Sequence, residues 1–492
     1  MTPSEPQPRA APARGPGGRP VRLSATAFAA FAIFTCFAGD FWRNLLSWYG
    51  FAVVACAVVV GAVVLLLRRH PLLRLVHLPV PLLLFMAWCL GSVVWSHYRP
   101  ETLLASLLQI ATFTVALALA VSLSTAQFLY AFSFAMRTIL GLSLVFELVV
   151  ALCFPHGVLP LYMLWPGVLD QLTGVPGSTI ETVPGAFKWS QGLLFQNAAI
   201  QGIVGNRNLL AMIALLCVIA VGVQRAAGQL PRRQAIAWIT LGAAMLLLCR
   251  SMTVVAASGV VLCALLLIAI ARRLTNAQRW LMYGVVGVAL AGTIALVVSF
   301  NDELFALINR SSDLSGRGDI WYAVAELAEQ HPVTGLGWIS YWAPWVDPYR
   351  GLLVVDGIQY LQAHNAYMDL WMQTGVVGAA LFSVVVLTAL IRTWWLAVDK
   401  PVVGGLARAI PPSAVLPFLV MIALVVQSMT ESRLLIEGNW LLLCYFAILS
   451  KLRVQDLPAL PRRTIPALTG PISVIEQRVL DDAEREPDSR RL

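Results

Sequence analysis

The sequence predicts an all-α polytopic integral membrane protein with about twelve transmembrane helices. Hydrophobic residues make up 59% of its 492 residues and charged residues only 12%, whereas about a quarter of the residues of a soluble domain are charged. The mean hydropathy is +0.77. The apolar residues are also gathered into separate runs that are long enough to cross the roughly 30 Å hydrocarbon layer as helices. A chain of this kind needs the bilayer as solvent.

Twelve apolar runs are candidate spanning helices, although several are short or carry a polar residue such as Glu147, which leaves the count open by one or two. They lie at 24–41, 50–67, 75–95, 102–124, 138–154, 208–224, 233–249, 252–271, 280–300, 366–391, 413–429 and 438–451. The eight cysteines all fall in or beside these runs, with no CxxC pair. We therefore interpret them as small apolar residues and not as disulfide or metal ligands.

Lysine and arginine orient the helices, because short basic loops stay in the cytoplasm. With twelve crossings, every large basic cluster falls on one side, so both termini are predicted to be cytoplasmic. The net charge of +9 is then explained by topology and does not indicate nucleic-acid binding. Residues 1–22 and 455–492 are predicted to be disordered cytoplasmic tails around a transmembrane domain at 23–454. No cleaved signal peptide is predicted.

Two long segments, at about 155–207 and 301–364, then face the extracytoplasmic side. The second is predicted to be partly helical, because WYAVAELAEQ at 321–330 has apolar residues at helical spacing. HPVTGLGW at 331–338 should end that helix with Pro332 and two glycines. Structured loops of this length usually carry function.

Several cations face outward against the general trend. They are Lys188, Arg207, Arg250, Arg310, Arg317, Arg350 and Arg433. Arginine offers a planar fork of donors that suits phosphate, so a lipid diphosphate fits this placement. A chloride path or an annulus of anionic lipid fits nearly as well, and individual cations could simply extend to the headgroups.

His364 lies in QAHNAYMDLWMQTG, where the second outer loop meets a helix. Its near-neutral pKa class suits it to proton transfer or phosphate binding, while a hydrogen bond at a helix start near Asn365 is the simpler interpretation. The sequence has no zinc-type spacing, no phosphate-binding glycine loop, no G-x-S-x-G and no outer D-x-D pair. It therefore predicts no metal, no nucleotide and no other cofactor, and a donor that arrives already activated on a lipid.

LSGRGDIW at 314–321 contains an Arg-Gly-Asp tripeptide. An adhesion function would need an exposed loop tip, but a helix is predicted to follow immediately. We interpret Ser315 or Asp319 as the helix cap. The glycines at 316 and 318 would let the backbone bend so that Arg317 points into a cavity.

The motifs as a set are similar to those of the bacterial O-antigen ligase and O-antigen polymerase superfamily of membrane glycosyltransferases. The resemblance covers about 205–442 and rests on GNRN at 205–208, RSMT at 250–253, SGRGDIW, HPVTGLGW, AHNAYMDLWMQTGVVG at 363–378 and ESRLLIEGNW at 431–440. It implies a GT-C-like fold in the bacterial inner membrane with an extracytoplasmic site. It also implies an undecaprenyl-diphosphate-linked glycan as donor and a glycan or lipid-core hydroxyl as acceptor.

The resemblance further implies which residues act. Arg317 and His364 would be catalytic, together with a basic residue at the outer end of an earlier helix. That third position maps to Arg250 with a displacement of two residues, and Arg207 is the next choice. Arg310 is counted with these arginines as a further diphosphate ligand. Whether His364 is the base or a diphosphate ligand stays open.

Contacts to the acceptor sugar are predicted at Trp338, Tyr341, Trp342 and Asn365, although the aromatic residues could instead form an interfacial belt. Because the donor is activated, direct displacement with inversion is expected. Three functions stay open: a ligase that passes the glycan to a lipid core, a polymerase that passes it to another repeat unit, and a transporter or flippase of lipid-linked glycans that makes no bond.

Overall fold

The computed structural model describes residues 25–69, 75–299, 317–355, 358–403 and 406–454. The predicted tails at 1–22 and 455–492 lie outside this part of the chain. The described helices are α1 Ala25–Phe37, α2 Gly39–Arg69, α3 Val80–Gly91, α4 Arg99–Ser122, α5 Thr125–Cys153, α6 Val168–Thr173, α7 Arg207–Ala226, α8 Arg232–Cys249, α9 Met252–Ala271, α10 Asn276–Ser299, α11 Arg317–Gln330, α12 Ala366–Val398, α13 Leu416–Ser428 and α14 Glu437–Val454. Two antiparallel pairs of two-residue strands join Val354–Val355 to Ile358–Gln359 and Val402–Val403 to Leu406–Ala407.

Six of the described helices are long and apolar enough to cross a membrane, namely α2, α4, α5, α7, α9 and α12. Shorter apolar helices lie at Ala25–Phe37, Val80–Val94 and Pro412–Ser428. The predicted class, a multi-pass helical membrane protein, is therefore confirmed. Each of the twelve predicted runs falls on a helix, but length and hydropathy do not establish that all twelve cross, so that count stays a prediction.

Helix α5 begins at Thr125, well before the run predicted at 138–154. A capping box starts it: the Ser124 hydroxyl accepts from the amide of Gln127 at 3.3 Å, and the Gln127 side chain accepts from the amide of Ser124 at 2.9 Å. This arrangement satisfies two of the amides that a helix start leaves free. Polar residues in the first turns, such as Ser133, hid the helix from a search for apolar runs.

Basic residues join helix ends at one end of the bundle. Arg279 forms an ion pair with Asp399 at 2.7 Å, and the Lys451 ammonium donates to two backbone carbonyls within residues 76–78 at 2.6 Å each. These belong to the basic clusters predicted to be cytoplasmic. The opposite end carries residues 331–365, and we call it the loop end.

Glu147, the polar residue noted in the fifth run, is buried near the end of α5. Its carboxylate accepts from the Ser190 hydroxyl at 2.9 Å and from the amides of Gln201 and Gly202 at 3.0 and 2.6 Å. A buried carboxylate is tolerated when several donors satisfy it. Glu147 thus fastens the end of the first long loop to the bundle, directly before Arg207 begins α7.

Helix α12 is broken at Gly375, which has φ 66° and ψ −176°. The segment 332–337 fills the break with backbone hydrogen bonds. Leu336 and Gly337 donate to the carbonyls of residues 372 and 373 at 3.0 and 2.8 Å, and the amides of residues 376 and 377 donate to the carbonyls of residues 332 and 333 at 2.8 and 3.4 Å. A broken helix at membrane depth needs such partners. We call this arrangement the loop–helix splice.

Two glycines, Gly335 of HPVTGLGW and Gly375 of α12, are required by this close approach. Gly335 has φ +70°, and a Cβ there would overlap the backbone of Gln373 and Thr374. Gly375 has φ +66°, and a Cβ there would overlap the carbonyl of Val333. Only glycine adopts this conformation without steric cost and leaves room for the opposing backbone.

Helix α11 packs on a small hydrophobic core of its own, separate from the main core between the long helices. Its buried residues Ile320, Val324 and Ala328 contact apolar residues of 336–349 and of the first turns of α12. The amphipathic helix predicted at 321–330 is confirmed, and it begins at Arg317, which puts Asp319 inside the first turn. This core holds α11 against the start of α12.

Candidate active site

Four segments meet on the carboxylate of Glu431, which lies between α13 and α14 and whose side chain is only 2% exposed. His364 Nδ1 lies 3.0 Å from Oε2, and Gln362 donates to the same oxygen at 3.3 Å. Asn208 donates to Oε1 at 2.7 Å, and Arg317 Nη2 lies 3.5 Å from it. The structure therefore brings together Arg317 and His364, which the sequence predicted, on an acid that it did not.

Glu431 carries its charge in this environment. Burial raises the pKa of the carboxyl, but the hydrogen bond and the charge of His364 act against burial, and so do the charges of Arg433 and Arg317. The net result is a pKa below the ordinary value. An ionised carboxylate only accepts hydrogen bonds, so every polar neighbour of Glu431 must act as a donor.

The backbone at His364 is strained and is held by its neighbours. His364 has φ +50°, a conformation that is uncommon for residues with a side chain. Asn365 follows as the N-cap of α12, and its side chain accepts from the amides of Tyr367 and Met368 at 3.0 and 3.3 Å. Asn365 therefore caps the helix that presents His364, whereas His364 itself contacts Glu431 and not the helix start, as the simpler interpretation had it.

Asp369 joins the two segments that carry His364 and Glu431. Fully buried one turn into α12, it accepts from the amide of Ala363 at 2.9 Å and from the hydroxyl of Ser432. Ala363 precedes His364, and Ser432 follows Glu431. The Asp369 carboxylate therefore positions both members of the His364–Glu431 pair through the residues beside them.

Arg317 is the first residue of α11, and a tryptophan fixes the orientation of that helix. The Trp321 indole donates to the carbonyl of Ala363 at 3.0 Å. Because Ala363 adjoins His364, one hydrogen bond sets the spacing between the helix that carries Arg317 and the segment that carries the histidine. The bend predicted at 316 and 318 falls partly outside the described residues, since residue 316 is not among them.

Arg207 and Arg250 lie at the same end of the bundle, but both are exposed. Arg207 begins α7 beside Asn208, which binds Glu431. Arg250 ends α8 with φ +51° and hydrogen bonds to the side-chain oxygen of Asn197. The RSMT turn is tied to the site by a hydrogen bond of 3.1 Å between Thr253 and the residue before Glu431. Neither arginine touches the carboxylate, and Arg310 lies outside the described residues.

The predicted sugar contacts fall in different environments. Trp338 is fully buried against Phe85, and its amide donates to the Ser92 hydroxyl. Trp342 is 1% exposed and donates its indole N–H to Asp369 at 2.7 Å. Both rings therefore act as structural supports. Tyr341 is partly exposed, and the charges of Arg433 and Glu437 act on its hydroxyl.

No group of three or more His, Cys, Asp and Glu side chains that could hold a metal ion occurs in the described part of the chain. The cysteines described there are free thiols, distributed between buried and exposed positions. The polar groups of the site are instead hydrogen-bond donors and cations around one carboxylate, which is a chemistry for anions and for proton transfer.

Residues 235–383 match the model of the family described as O-antigen ligase. This match supports the resemblance of the chain to the O-antigen ligase and polymerase superfamily. No curated protein matches the chain. The matched stretch runs from α8 into α12 and includes Arg250, Arg317 and His364. Glu431 and Asn208 lie outside it.

Sequence reasoning missed four residues of the site, because each is a single polar residue without a local pattern: Asn208, Gln362, Asp369 and Glu431. A signal was nevertheless present. Asn208 closes GNRN and Glu431 opens ESRLLIEGNW, and both motifs contributed to the resemblance. The cations of these motifs pointed to an anionic ligand, whereas in the structure it is Asn208, His364 and Arg317 that contact the Glu431 carboxylate.

Proposed function

We propose that this protein is a glycosyltransferase of the O-antigen ligase type that takes a glycan from an undecaprenyl-diphosphate-linked donor. The acceptor is a hydroxyl on the outer face of the bacterial inner membrane, and the reaction uses neither metal nor nucleotide. The observation that carries the proposal is the contact of His364 Nδ1 with the ionised Glu431, beside Arg317. The family match supports the same class of activity.

His364 is proposed as the general base. Because the Glu431 carboxylate can only accept, Nδ1 must carry the hydrogen of their 3.0 Å contact. A neutral imidazole then has its lone pair on Nε2, which can take the proton of an acceptor hydroxyl. Glu431 fixes the tautomer and stabilises the imidazolium that forms. Of the two roles left open by the sequence, the geometry favours the base over the diphosphate ligand.

Arg317 is proposed to bind the donor diphosphate, with Arg207 and Arg250 at the entrance and Arg310 as a further ligand on sequence grounds. As the acceptor oxygen attacks C1 of the sugar, the C1–O bond to the diphosphate breaks and its electron pair leaves with the phosphate. The arginines neutralise the charge that grows there. The proton is then on His364, the glycan is on the acceptor oxygen and undecaprenyl diphosphate is the leaving group. A single displacement inverts the anomeric carbon.

The same chemistry serves a ligase and a polymerase, which differ only in the acceptor. A ligase passes the glycan to a lipid core, and a polymerase passes it to another lipid-linked repeat unit. We favour the ligase-like reaction because the matched family is described by that name. A flippase of lipid-linked glycans is the competitor from another class, and it would leave the donor bond intact.

The experiment uses the full chain in nanodiscs with an undecaprenyl-diphosphate-linked oligosaccharide and an acceptor glycolipid. We expect release of undecaprenyl diphosphate, with a fall of about 10²- to 10³-fold in Arg317→Gln, as for the loss of one positioned donor to developing charge. Arg350→Gln, which changes an exposed arginine of the same loop, is the matched control and should retain activity. Movement of intact donor across a liposome bilayer without release would contradict the proposal, and the mass of the product separates ligase from polymerase.

A further inference from the structure

The first long loop contains an uncharged stretch, GVLPLYMLWPGVL at 157–169. It is too short to cross the bilayer as a helix, and apolar runs of about 10–14 residues are typical of buried or interfacial segments. Pro160, Pro166 and Gly167 also interrupt it. The stretch therefore forms only a 3₁₀ turn at Leu161–Leu164 and the beginning of the short helix α6.

The 3₁₀ turn has an inner and an outer face. On the inner face, Met163 is buried together with Leu159 in a small hydrophobic core of the loop itself. On the outer face, Leu161 and Leu164 are 50% and 60% exposed. Side chains three positions apart eclipse in a 3₁₀ helix, so the two leucines point the same way. Trp165 follows directly and is 55% exposed. We call Leu161, Leu164 and Trp165 the apolar patch.

The charged side chains nearest to the stretch are engaged within the loop. Asp170 accepts from the amide of Ser178 at 2.8 Å. Lys188 donates to the carbonyl of His156 at 2.9 Å, and the His156 ring lies 3.5 Å from the carboxylate of Glu181. A partner that binds through charge would therefore find no complementary group at the patch.

The patch lies at the level where α2 enters the hydrocarbon. The turn packs on α2, and its Tyr162 is close enough for the charges of Arg43 and Asp40 to act on its hydroxyl. The Arg43 guanidinium lies over the Trp48 ring, 5.1 Å from the centroid. Arg68, at the opposite end of this span, follows Trp48 by twenty positions. That length of helix rises about 30 Å, which equals the thickness of the hydrocarbon layer.

The patch also continues a surface of the bundle that faces lipid. Trp48 and Tyr49, directly after a break in α2 at Ser47, are both exposed, and so are Val53 and Val60 further along the same helix. Tryptophan and tyrosine concentrate where headgroups meet hydrocarbon. An exposed apolar patch marks contact with a membrane or with another protein. Continuity with the exposed apolar face of a spanning helix favours the membrane.

We propose that the apolar patch docks into the boundary between headgroups and acyl chains in the leaflet at the loop end. The partner is the acyl chains of the phospholipids, and the first long loop then lies on the membrane surface. Glu147 holds the other end of this loop through the amides of residues 201 and 202, shortly before Arg207 begins α7. The loop is thus held by lipid at one end and by the bundle at the other. This docking does not depend on the transferase function proposed above.

The emission of Trp165 tests the docking in the full chain, in nanodiscs that hold one copy each. The difference between the spectra of wild type and Trp165→Leu isolates this emission from that of the other tryptophans. Interfacial segments bury their apolar face by about 5–10 Å, so phospholipid brominated near the carboxyl end of its acyl chains should quench the emission. Acrylamide in the water should quench it little.

Leu161→Ser combined with Leu164→Ser should reverse this pattern, because the polar turn no longer holds Trp165 in lipid. Val354→Ser, at an exposed apolar position of the second long loop, is the matched control and should keep the wild-type pattern. Unfolding temperatures in detergent check each variant. Leu164→Ser alone replaces the double variant, and Trp165→Phe replaces Trp165→Leu, if either fails to fold.

Two results in the wild type would overturn the docking. Quenching of Trp165 by acrylamide and not by brominated lipid would mean that the patch faces water. Emission that is shielded from both quenchers would mean that protein covers the patch. Quenching by brominated lipid that persists in the leucine variants would remove Leu161 and Leu164 from the contact and would contradict the patch as defined.

Discussion

His364 Nδ1 lies 3.0 Å from Oε2 of Glu431, so an imidazole at the start of α12 is oriented by a buried carboxylate that precedes α14. The two residues are 67 positions apart in the chain. Their contact leaves Nε2 as the imidazole nitrogen that faces away from the carboxylate.

Glu431→Gln keeps the shape of the side chain but removes the charge that orients and stabilises the imidazole. We expect the transfer rate to fall at least about 10²-fold, the lower end of what a positioned general base contributes. Single-turnover release of undecaprenyl diphosphate measures the effect. Asn208→Asp keeps Glu431 but places a second carboxylate against it. We expect this variant to lose activity through repulsion between the two carboxylates, without a change in the histidine tautomer. A Glu431→Gln protein with the full wild-type rate would remove Glu431 from the mechanism.

Acid should destabilise the wild-type protein through Glu431. The folded-state pKa of this carboxyl is lower than its value of about 4.3 in an unfolded chain. The stabilisation is therefore present in full above about pH 4.3 and is lost as the pH falls through the lower folded pKa. Unfolding temperatures in detergent between pH 7 and pH 3 should fall more steeply for wild type than for Glu431→Gln. Parallel curves would contradict the shift.

Asp369→Asn should weaken catalysis without weakening donor binding, because Asp369 acts through Ala363 and Ser432 and touches no substrate. A displacement of about 1 Å in a reacting group costs up to about 10²-fold in rate. We expect kcat to fall while the KM for donor and the binding of undecaprenyl diphosphate hold. Asp347→Asn, at an exposed position of the loop that precedes α12, is the control. Equal losses in kcat and in donor binding would point to general unfolding.

Gly375→Ala should prevent correct folding, because the added Cβ meets the carbonyl of Val333 and the backbone has φ +66°. Neither the loop nor α12 can move away without breaking the splice hydrogen bonds. Size-exclusion chromatography and thermal unfolding measure the result. Gly259→Ala in α9 is the matched control, since a Cβ there has no neighbour within 4 Å. Normal folding of Gly375→Ala would contradict the close contact between Gly375 and the carbonyl of Val333.

The sequence predicted the fold class well because apolar runs report burial in lipid directly. It also predicted α11, whose apolar spacing is regular, and it selected Arg317 and His364 through their motifs. Glu431 escaped because one carboxylate in a short turn has no local pattern, and its importance comes from residues 208, 317, 362 and 364 converging on it. The start of α5 escaped for a related reason: Ser133 is polar in sequence but packs inside the bundle.

The sequence also did not predict which aromatic residues of the loop are buried. Trp338 and Trp342 were natural candidates for stacking on sugars, because tryptophan near a membrane surface often faces polar ligands. The structure buries both, one against Phe85 and one on Asp369. Tyr341, between them in sequence, is partly exposed. Tertiary packing decides which of these neighbouring aromatic side chains is buried. No spacing of residues in the sequence reports that packing.

The loop–helix splice has a consequence for how this protein is assembled. The two halves of α12 on either side of Gly375 obtain part of their hydrogen bonding from residues 332–337, so the helix is incomplete until that segment has docked. Unpaired backbone groups are poorly tolerated in hydrocarbon. Membrane insertion of α12 and assembly of the candidate site are therefore coupled: a chain that has not placed its loop has neither a finished helix nor His364 in position.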